Sequence, residues 1–221
     1  GLSLISDPAA LVERNLHRPH KLSHTTVVVQ ATLATAHGPL DVAVKRCRRF
    51  GFWKRLTALV RPGRALRAWY VGHALRARGI RTVEPLVAFE RKHPLRGRDS
   101  YLVTRWIENI ENLHLLGWEL ARRPEAECRA TGNAIARRLG RLIGQMHAWS
   151  ASHRDLKACN FAVVPDEDGH DDDRQELVLL DLDGVRFPWR LTWRSRVRDL
   201  ARLAASVELQ LWVTPGMRAR F

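Results

Sequence analysis

The chain has 221 residues, enough to bury a sizeable core in one large domain or in two small lobes. Hydrophobic residues at 45% and charged residues at 27% exclude a disordered or low-complexity chain. The 37 Lys and Arg against 23 Asp and Glu leave a formal charge of +14, which favours a polyanionic partner such as nucleic acid, anionic lipid or a phosphorylated substrate.

Residues 25 to 45 hold two β-branched runs on either side of His37-Gly38-Pro39, a turn signal that predicts a hairpin ending on Lys45. Residues 64 to 78 place Leu66, Trp69, Tyr70 and His73 at helical spacing, with Gly79 as the C-terminal cap. Two further strands, Pro85 to Glu90 and Ser100 to Trp106, flank the basic turn RKHPLRGR and complete a small antiparallel sheet packed by one helix. After Ile107 the pattern turns helical. Residues 125 to 149 put Ile135, Leu139, Leu142, Ile143 and Met146 on one face, which predicts an amphipathic helix. A short run Phe161 to Val164, an acidic loop and the strand Leu177 to Leu180 form a hairpin with HRDLKACN before it and Asp181 at its end. The segment Trp189 to Trp212 reads as one or two helices. The chain thus divides into residues 1–107, a nucleotide-binding lobe of sheet and helix, and 108–221, a mainly helical catalytic lobe: an α+β class of two lobes.

The run His153-Arg154-Asp155-Leu156-Lys157-Ala158-Cys159-Asn160 has the spacing of a kinase catalytic loop: HRD, Lys two residues on and Asn five residues after the Asp. Phosphoryl transfer needs these types. A carboxylate at Asp155 orients the attacking hydroxyl and accepts its proton, Lys157 steadies the migrating charge, and Asn160 offers a neutral oxygen to a metal. HRD alone is a common chance match; the Lys and Asn in register, and the Asp that follows a strand hairpin, make it specific. Asp181 closes an apolar strand in LLDLDGV, where a kinase-like fold holds its principal Mg²⁺ ligand. The expected Asp-Phe-Gly is replaced by Asp181-Leu182-Asp183. Asp183 is a second ligand or a turn residue, and the alternation of side chains along a strand favours the turn.

Lys45 in VAVK has the place of the lysine that meets the α- and β-phosphates of ATP. Two features depart from that pattern. No Asp or Glu occurs from Arg46 to Gly79, so the usual helix glutamate is missing and Asp181, Glu84 or the nucleotide itself is left to pair Lys45. The Gly-rich phosphate loop is absent too, leaving Ser23 and Thr25, with nearby backbone N–H groups, to face phosphate. The segment from Arg46 to Gly79 carries ten positive charges interleaved with Phe50, Phe52, Trp53, Trp69 and Tyr70. It is either a solvated face over core aromatics or an anionic docking surface at a membrane interface. The acidic loop Asp166 to Glu176 lacks the spacing of a Ca²⁺ loop and reads as a solvated tip.

These motifs, VAVKR, ALRAWYVGHALRARGI, HRDLKACN, LLDLDGVRF and RDLARL, resemble the lipopolysaccharide kinase (Kdo/WaaP) family of the protein-kinase-like superfamily, over nearly the whole chain. The resemblance implies a two-lobed protein-kinase-like fold and ATP-dependent phosphorylation of a heptose or Kdo hydroxyl of the lipopolysaccharide core. It implies Asp155 as base, Lys157 beside it, Asn160 and Asp181 as ligands of Mg²⁺ (or Mn²⁺ in its place), and Lys45 on the ATP phosphates. Thr104, Arg105, Trp106 and Ile107 would be the hinge whose backbone meets adenine. It also implies ATP and an anionic glycolipid acceptor as partners, with contact to an anionic membrane.

Three cysteines, Cys47, Cys128 and Cys159, match neither a disulfide framework nor a metal knuckle, which points to a reducing cytosol. No window approaches 18 apolar residues and Gly1 to Ala10 lacks a signal-peptide pattern, so neither a spanning helix nor a leader is expected. Family resemblance adds a peripheral place on the cytoplasmic face of the inner membrane.

A Ser/Thr-type protein kinase is the first alternative, but Arg198 follows Asp181 by only 17 positions without an Ala-Pro-Glu element, leaving little room to dock a peptide. Antibiotic- or choline-type kinases usually carry His where this loop has Lys157. A catalytically inactive kinase-like binding module is suggested by the two departures above and implies no Mg²⁺-dependent turnover. A nucleic-acid-binding module has only the basic run and no reading motif, so no nucleic acid is expected.

Overall fold

A computed structural model of the chain describes residues 8–15, 19–22, 26–48, 63–93, 97–164, 176–207 and 213–221. The chain divides into two compact units, Gly1–Ala74 with Val83–Trp106 and Leu75–Thr82 with Ile107–Phe221.

The first unit contains α1 (Pro8–Arg14), β1 (Pro19–Leu22), β2 (Thr26–Thr35), β3 (Gly38–Arg48), most of α2 (Arg64–Arg76), β4 (Pro85–His93) and β5 (Gly97–Arg105). Its five strands form one antiparallel sheet in the order β1-β2-β3-β5-β4. The hairpin is closed where Thr35 pairs with Gly38, whose φ of 108° is a conformation that glycine adopts without strain. Period-two patterning decides which face is buried. Val29, Ala31 and Leu33 of β2, Val42 and Val44 of β3, and Tyr101 and Val103 of β5 pack with Val12 of α1 into one core. Helix α2 is tied to this unit by Trp69, whose indole N–H donates to the Leu86 carbonyl at 3.3 Å. Strands β4 and β5 both run further into the RKHPLRGR turn than the sequence predicts, since Arg91 still pairs with Asp99.

The second unit contains β6 (Glu111–Asn112), α3 (Leu113–Leu120), α4 (Glu125–Ala148), β7 (Ser152–His153), a 3₁₀ turn (Ala158–Asn160), β8 (Phe161–Val164), β9 (Glu176–Leu179), β10 (Val185–Arg186), α5 (Trp193–Val207) and α6 (Pro215–Arg220). The predicted face of α4 is the buried one: Ile135, Leu139, Leu142, Ile143 and Met146 are all inside. Helix α3 was not predicted. Its eight residues span barely two turns, too few to show a period, and the signal is its cap: Asn112 Oδ1 accepts the N–H groups of His114 and Leu115 at 3.1 and 3.0 Å. Asn112→Ala should cost about 1 kcal/mol, read as a lower denaturation midpoint at unchanged slope. Of the region Trp189 to Trp212, only Trp193–Val207 is helical among the described residues.

The division of the chain differs from a simple cut after residue 107, because Leu75–Thr82 groups with the second unit. The hydrogen bonds explain it. Thr82 Oγ1 donates to the Leu179 carbonyl at 2.7 Å, the Leu179 N–H to the Arg81 carbonyl at 3.1 Å, and the Gln145 amide to the Arg78 carbonyl at 3.1 Å. Gly79, at φ 70°, turns the chain out of α2, and the Ile80 N–H donates back to the Leu75 carbonyl at 3.0 Å. Among the described residues, no helix is long and apolar enough to cross a membrane.

Candidate active site

The loop 153–160 is held in the second unit by short strands on both sides. Before it, β7 pairs with β10, matching His153 to Val185 and Ser152 to Arg186. After it, β8 pairs with β9, matching Phe161 to Leu179, so residues well apart in the chain are fixed beside one another. Between them stands His153, fully buried. Its Nδ1 accepts the Asp155 N–H at 3.2 Å, and its Nε2–H donates to the Asp181 carbonyl at 2.8 Å. An N–H can only donate and a carbonyl can only accept, so these bonds select the neutral tautomer with its proton on Nε2. One imidazole thus joins the backbone of Asp155 to that of Asp181.

Asn160 makes the second link. Its side-chain amide donates to the Asp155 carbonyl at 2.7 Å, and its own carbonyl accepts the Leu180 N–H at 2.8 Å. The first bond fixes the rotamer, so the orientation of Oδ1 is set as well. Lys157 Nζ lies 2.7 Å from Asp155 Oδ1, and both side chains are about half exposed. The hydrogen bond that Lys157 donates to Asp155, then the charge of that carboxylate, hold the Lys157 ammonium above the ordinary lysine value. Asp183 lies in a turn, and its N–H donates to Asp181 Oδ1 at 3.2 Å. The structure therefore brings Asp155, Lys157, Asn160 and Asp181 into one hydrogen-bonded segment of one unit.

This loop rests on a residue that motif reading passes over. Asp199 of α5 is 1% exposed, and its Oδ2 accepts the His153 N–H at 3.0 Å and the His147 Nε2–H at 3.4 Å. Burial pushes the Asp199 carboxyl up, but hydrogen bonds from His147, Ser152 and the His153 N–H together outweigh it and hold the group below the ordinary aspartate value. Nearly two helical turns further on, Ser206 Oγ accepts the Ala158 N–H at 3.0 Å. A sequence signal existed: Asp199 is four residues before buried Leu203, so it stands on the apolar face of its helix. A carboxylate there needs a partner.

Gly184 closes the support. Its carbonyl accepts the Arg154 N–H at 3.1 Å, and a Cβ at this position would come within 2.6 Å of His153 Cε1. The imidazole cannot retreat without breaking its bonds to Asp155 and Asp181. Gly184→Ala is therefore expected to lower stability by roughly 1–3 kcal/mol and to reduce turnover along with it, while Gly144→Ala serves as a control, since a Cβ there meets nothing within 4 Å.

Of the residues expected to meet nucleotide, Lys45, Thr104, Arg105 and Trp106 belong to the first unit. Lys45 is central in the sheet, paired with Val28 on β2 and Leu102 on β5. Thr104 is buried, the Arg105 N–H donates to the Glu84 carbonyl at 2.9 Å and the Trp106 N–H to the Asp41 carbonyl at 2.9 Å; Ile107 is counted with the second unit. Two N–H groups of the expected hinge are thus already bonded within the protein. Glu84 forms an ion pair with Arg105 at 2.6 Å. Ser23 and Thr25, the basic segment from 49 to 62 and most of the acidic loop, 165–175, lie outside the described residues.

A metal at this site would find oxygen donors only. Among the described residues no cluster of three or more His, Cys, Asp or Glu forms a cage. Asn160 Oδ1 and the Asp181 carboxylate are hard oxygens, which fits a hard cation that completes its shell with phosphate and water.

The model of the Lipopolysaccharide kinase (Kdo/WaaP) family matches residues 40–219. A curated relative, the lipopolysaccharide core heptose(I) kinase WaaP of Pseudomonas aeruginosa, is 26% identical over 166 residues; the match covers 75% of this chain and 60% of that protein's length. A solved structure of WaaP in complex with acyl carrier protein superimposes with a TM-score of 0.68 at 22% identity, over 97% of this chain and 80% of that one. The BubR1 kinase domain superimposes with a TM-score of 0.52 at 15% identity, over 77% of this chain and 46% of that one. The fold is protein-kinase-like, of α+β class, with an antiparallel sheet and one main helix in its first part and a mainly helical remainder.

Proposed function

We propose, because this chain belongs to the lipopolysaccharide kinase (Kdo/WaaP) family, that it transfers the γ-phosphoryl group of ATP to a heptose or Kdo hydroxyl of the lipopolysaccharide core. The observation that carries the reading is the set of bonds through His153 and Asn160 that ties Asp155 to Asp181. A phosphoryl-transfer centre needs a base for the incoming hydroxyl and oxygen ligands for the outgoing charge, both on a rigid support.

In the proposed reaction the sugar hydroxyl attacks the γ-phosphorus, the bond to the β-phosphate oxygen breaks, and ADP leaves. Asp155 accepts a hydrogen bond from the hydroxyl and takes its proton. Lys157, now paired with Asp155, turns to the migrating phosphoryl group. Lys45 meets the α- and β-phosphates, with Ser23 and Thr25 beside them, and the segment from Thr104 to Ile107 meets adenine through the backbone groups that remain. Mg²⁺ bound by Asn160 and Asp181 would supply positive charge to the phosphate oxygens. The formal +14 supports an anionic glycolipid acceptor and a peripheral place on the cytoplasmic face of a membrane. Acyl carrier protein, the partner in the solved WaaP structure, is proposed as a partner here also.

The test uses ATP labelled at the γ-phosphate with Mg²⁺, offered to lipopolysaccharide core, lipid-linked sugars and a generic protein substrate. Label on the core sugar supports the reading. Label on protein alone assigns the chain to the protein kinases, and no label on any acceptor assigns it to the inactive binding modules.

A further inference from the structure

The second unit holds a cavity of about 200 Å³ whose lining includes Arg154, Arg186, Arg198 and Arg202 together with Ser195 and Asp199. The four guanidinium groups come from three elements: the loop after β7, strand β10 and helix α5. The pairing of Ser152 with Arg186 and the bond from the His153 N–H to Asp199 bring them together. Among the described residues the lining has one carboxylate, Asp199. That charge is buried and already accepts hydrogen bonds from His147 and His153, with Arg202 at 3.8 Å. In the described lining, four arginines thus stand beside one carboxylate. Like charges in one concavity repel unless an anion joins them, and guanidinium forks match the oxygens of a phosphate. Asp155, Lys157, Asn160 and Asp181 are absent from the described lining, so the phosphates of ATP are not its natural occupant.

The occupant follows from what surrounds the cavity. The segment from Arg186 to Arg198 also carries Trp189 and Trp193, which are 102% and 75% exposed. Exposed indoles beside arginines suit a large amphipathic molecule better than a free ion. We propose that this cavity binds a phosphate monoester already carried by the acceptor glycolipid, so that the protein reads one phosphate beside the loop that adds another. The identity of the phosphate's carrier rests on the function proposed above; the anion site itself does not.

Two binding measurements on the Asp155→Ala chain, which need no turnover, separate these claims. Inorganic phosphate is titrated by calorimetry at constant ionic strength. It should bind, and Arg186→Ala with Arg198→Ala in the same chain should weaken it by about tenfold or more. Both residues are exposed, so folding should survive; Arg198→Lys, which keeps the charge and loses the fork, should give an intermediate affinity. Equal phosphate binding with and without the arginines, or heat that chloride reproduces, overturns the site. Core oligosaccharide is then compared before and after phosphatase treatment. The treated sugar should bind about tenfold more weakly to the chain with its arginines, and no differently from the untreated sugar to the chain without them. If phosphatase changes nothing while inorganic phosphate still binds, the acceptor is not the carrier and that half of the proposal fails.

Discussion

Replacing Asp199 by Ala should destabilise the protein by roughly 3–5 kcal/mol, because it strands three donors inside a packed unit. The His147 imidazole, the Ser152 hydroxyl and the His153 N–H all direct their hydrogens at this carboxylate, which is 1% exposed. The loss should appear as a lower denaturant midpoint, with turnover falling faster than the folded fraction, since the loop register depends on the His153 bond. Asp199→Asn keeps one acceptor oxygen and should fall between wild type and Ala. Acid pH provides a separate check. A carboxyl held below its ordinary value contributes stability that is present above about pH 4 and lost as pH falls through the lowered value. Wild-type stability should therefore decline on the acid side of pH 4, and Asp199→Asn should lack that part of the decline. A variant with unchanged midpoint and an unchanged acid limb would show that α5 does not support the loop.

The largest catalytic effect is expected at Asp155. Asp155→Ala should lower kcat by about 10²–10⁴-fold, the usual contribution of a positioned general base. Stability should change by less than about 1 kcal/mol, because the side chain is 53% exposed and its pair with Lys157 is screened by water. The KM for ATP should hardly move, since the carboxylate is assigned to the attacking hydroxyl and not to the nucleotide. Fluorescent-nucleotide binding measured beside turnover distinguishes this from misfolding. Loss of nucleotide affinity in step with kcat would assign Asp155 a different role.

The parts of this site that were legible in the sequence are those that chemistry packs into a short stretch. HRDLKACN carries a carboxylate, a lysine and an amide within eight residues, and the apolar run before Asp181 delivers one carboxylate to a strand end. The supports were not legible in the same way. His153 belongs to the motif, yet its two ring contacts reach Asp155 and Asp181, and the second is 28 positions away. Asp199 lies 46 positions from the backbone group it holds and 52 from His147. Only pairing of β7 with β10 and packing of α5 reveal such contacts. Gly184 reads as a turn residue until its distance to the buried imidazole is known. The sheet was legible because alternation of apolar residues along β2, β3 and β5 follows from one buried face. Helix α3 was not, because two turns hold too few positions to declare a period. The hinge shows a different limit: motif position suggests free backbone groups at 105 and 106, whereas Glu84 and Asp41 carbonyls already accept those N–H groups.

The joining of Asp155, Asn160 and Asp181 into one phosphoryl-transfer centre is tested most directly by label transfer from γ-labelled ATP to purified lipopolysaccharide core in the presence of Mg²⁺. Wild-type protein should place label on a core sugar, and Asp155→Ala, Asn160→Ala and Asp181→Ala should each fail to do so while remaining folded by circular dichroism. Label transferred equally well by wild type and all three variants would contradict the account.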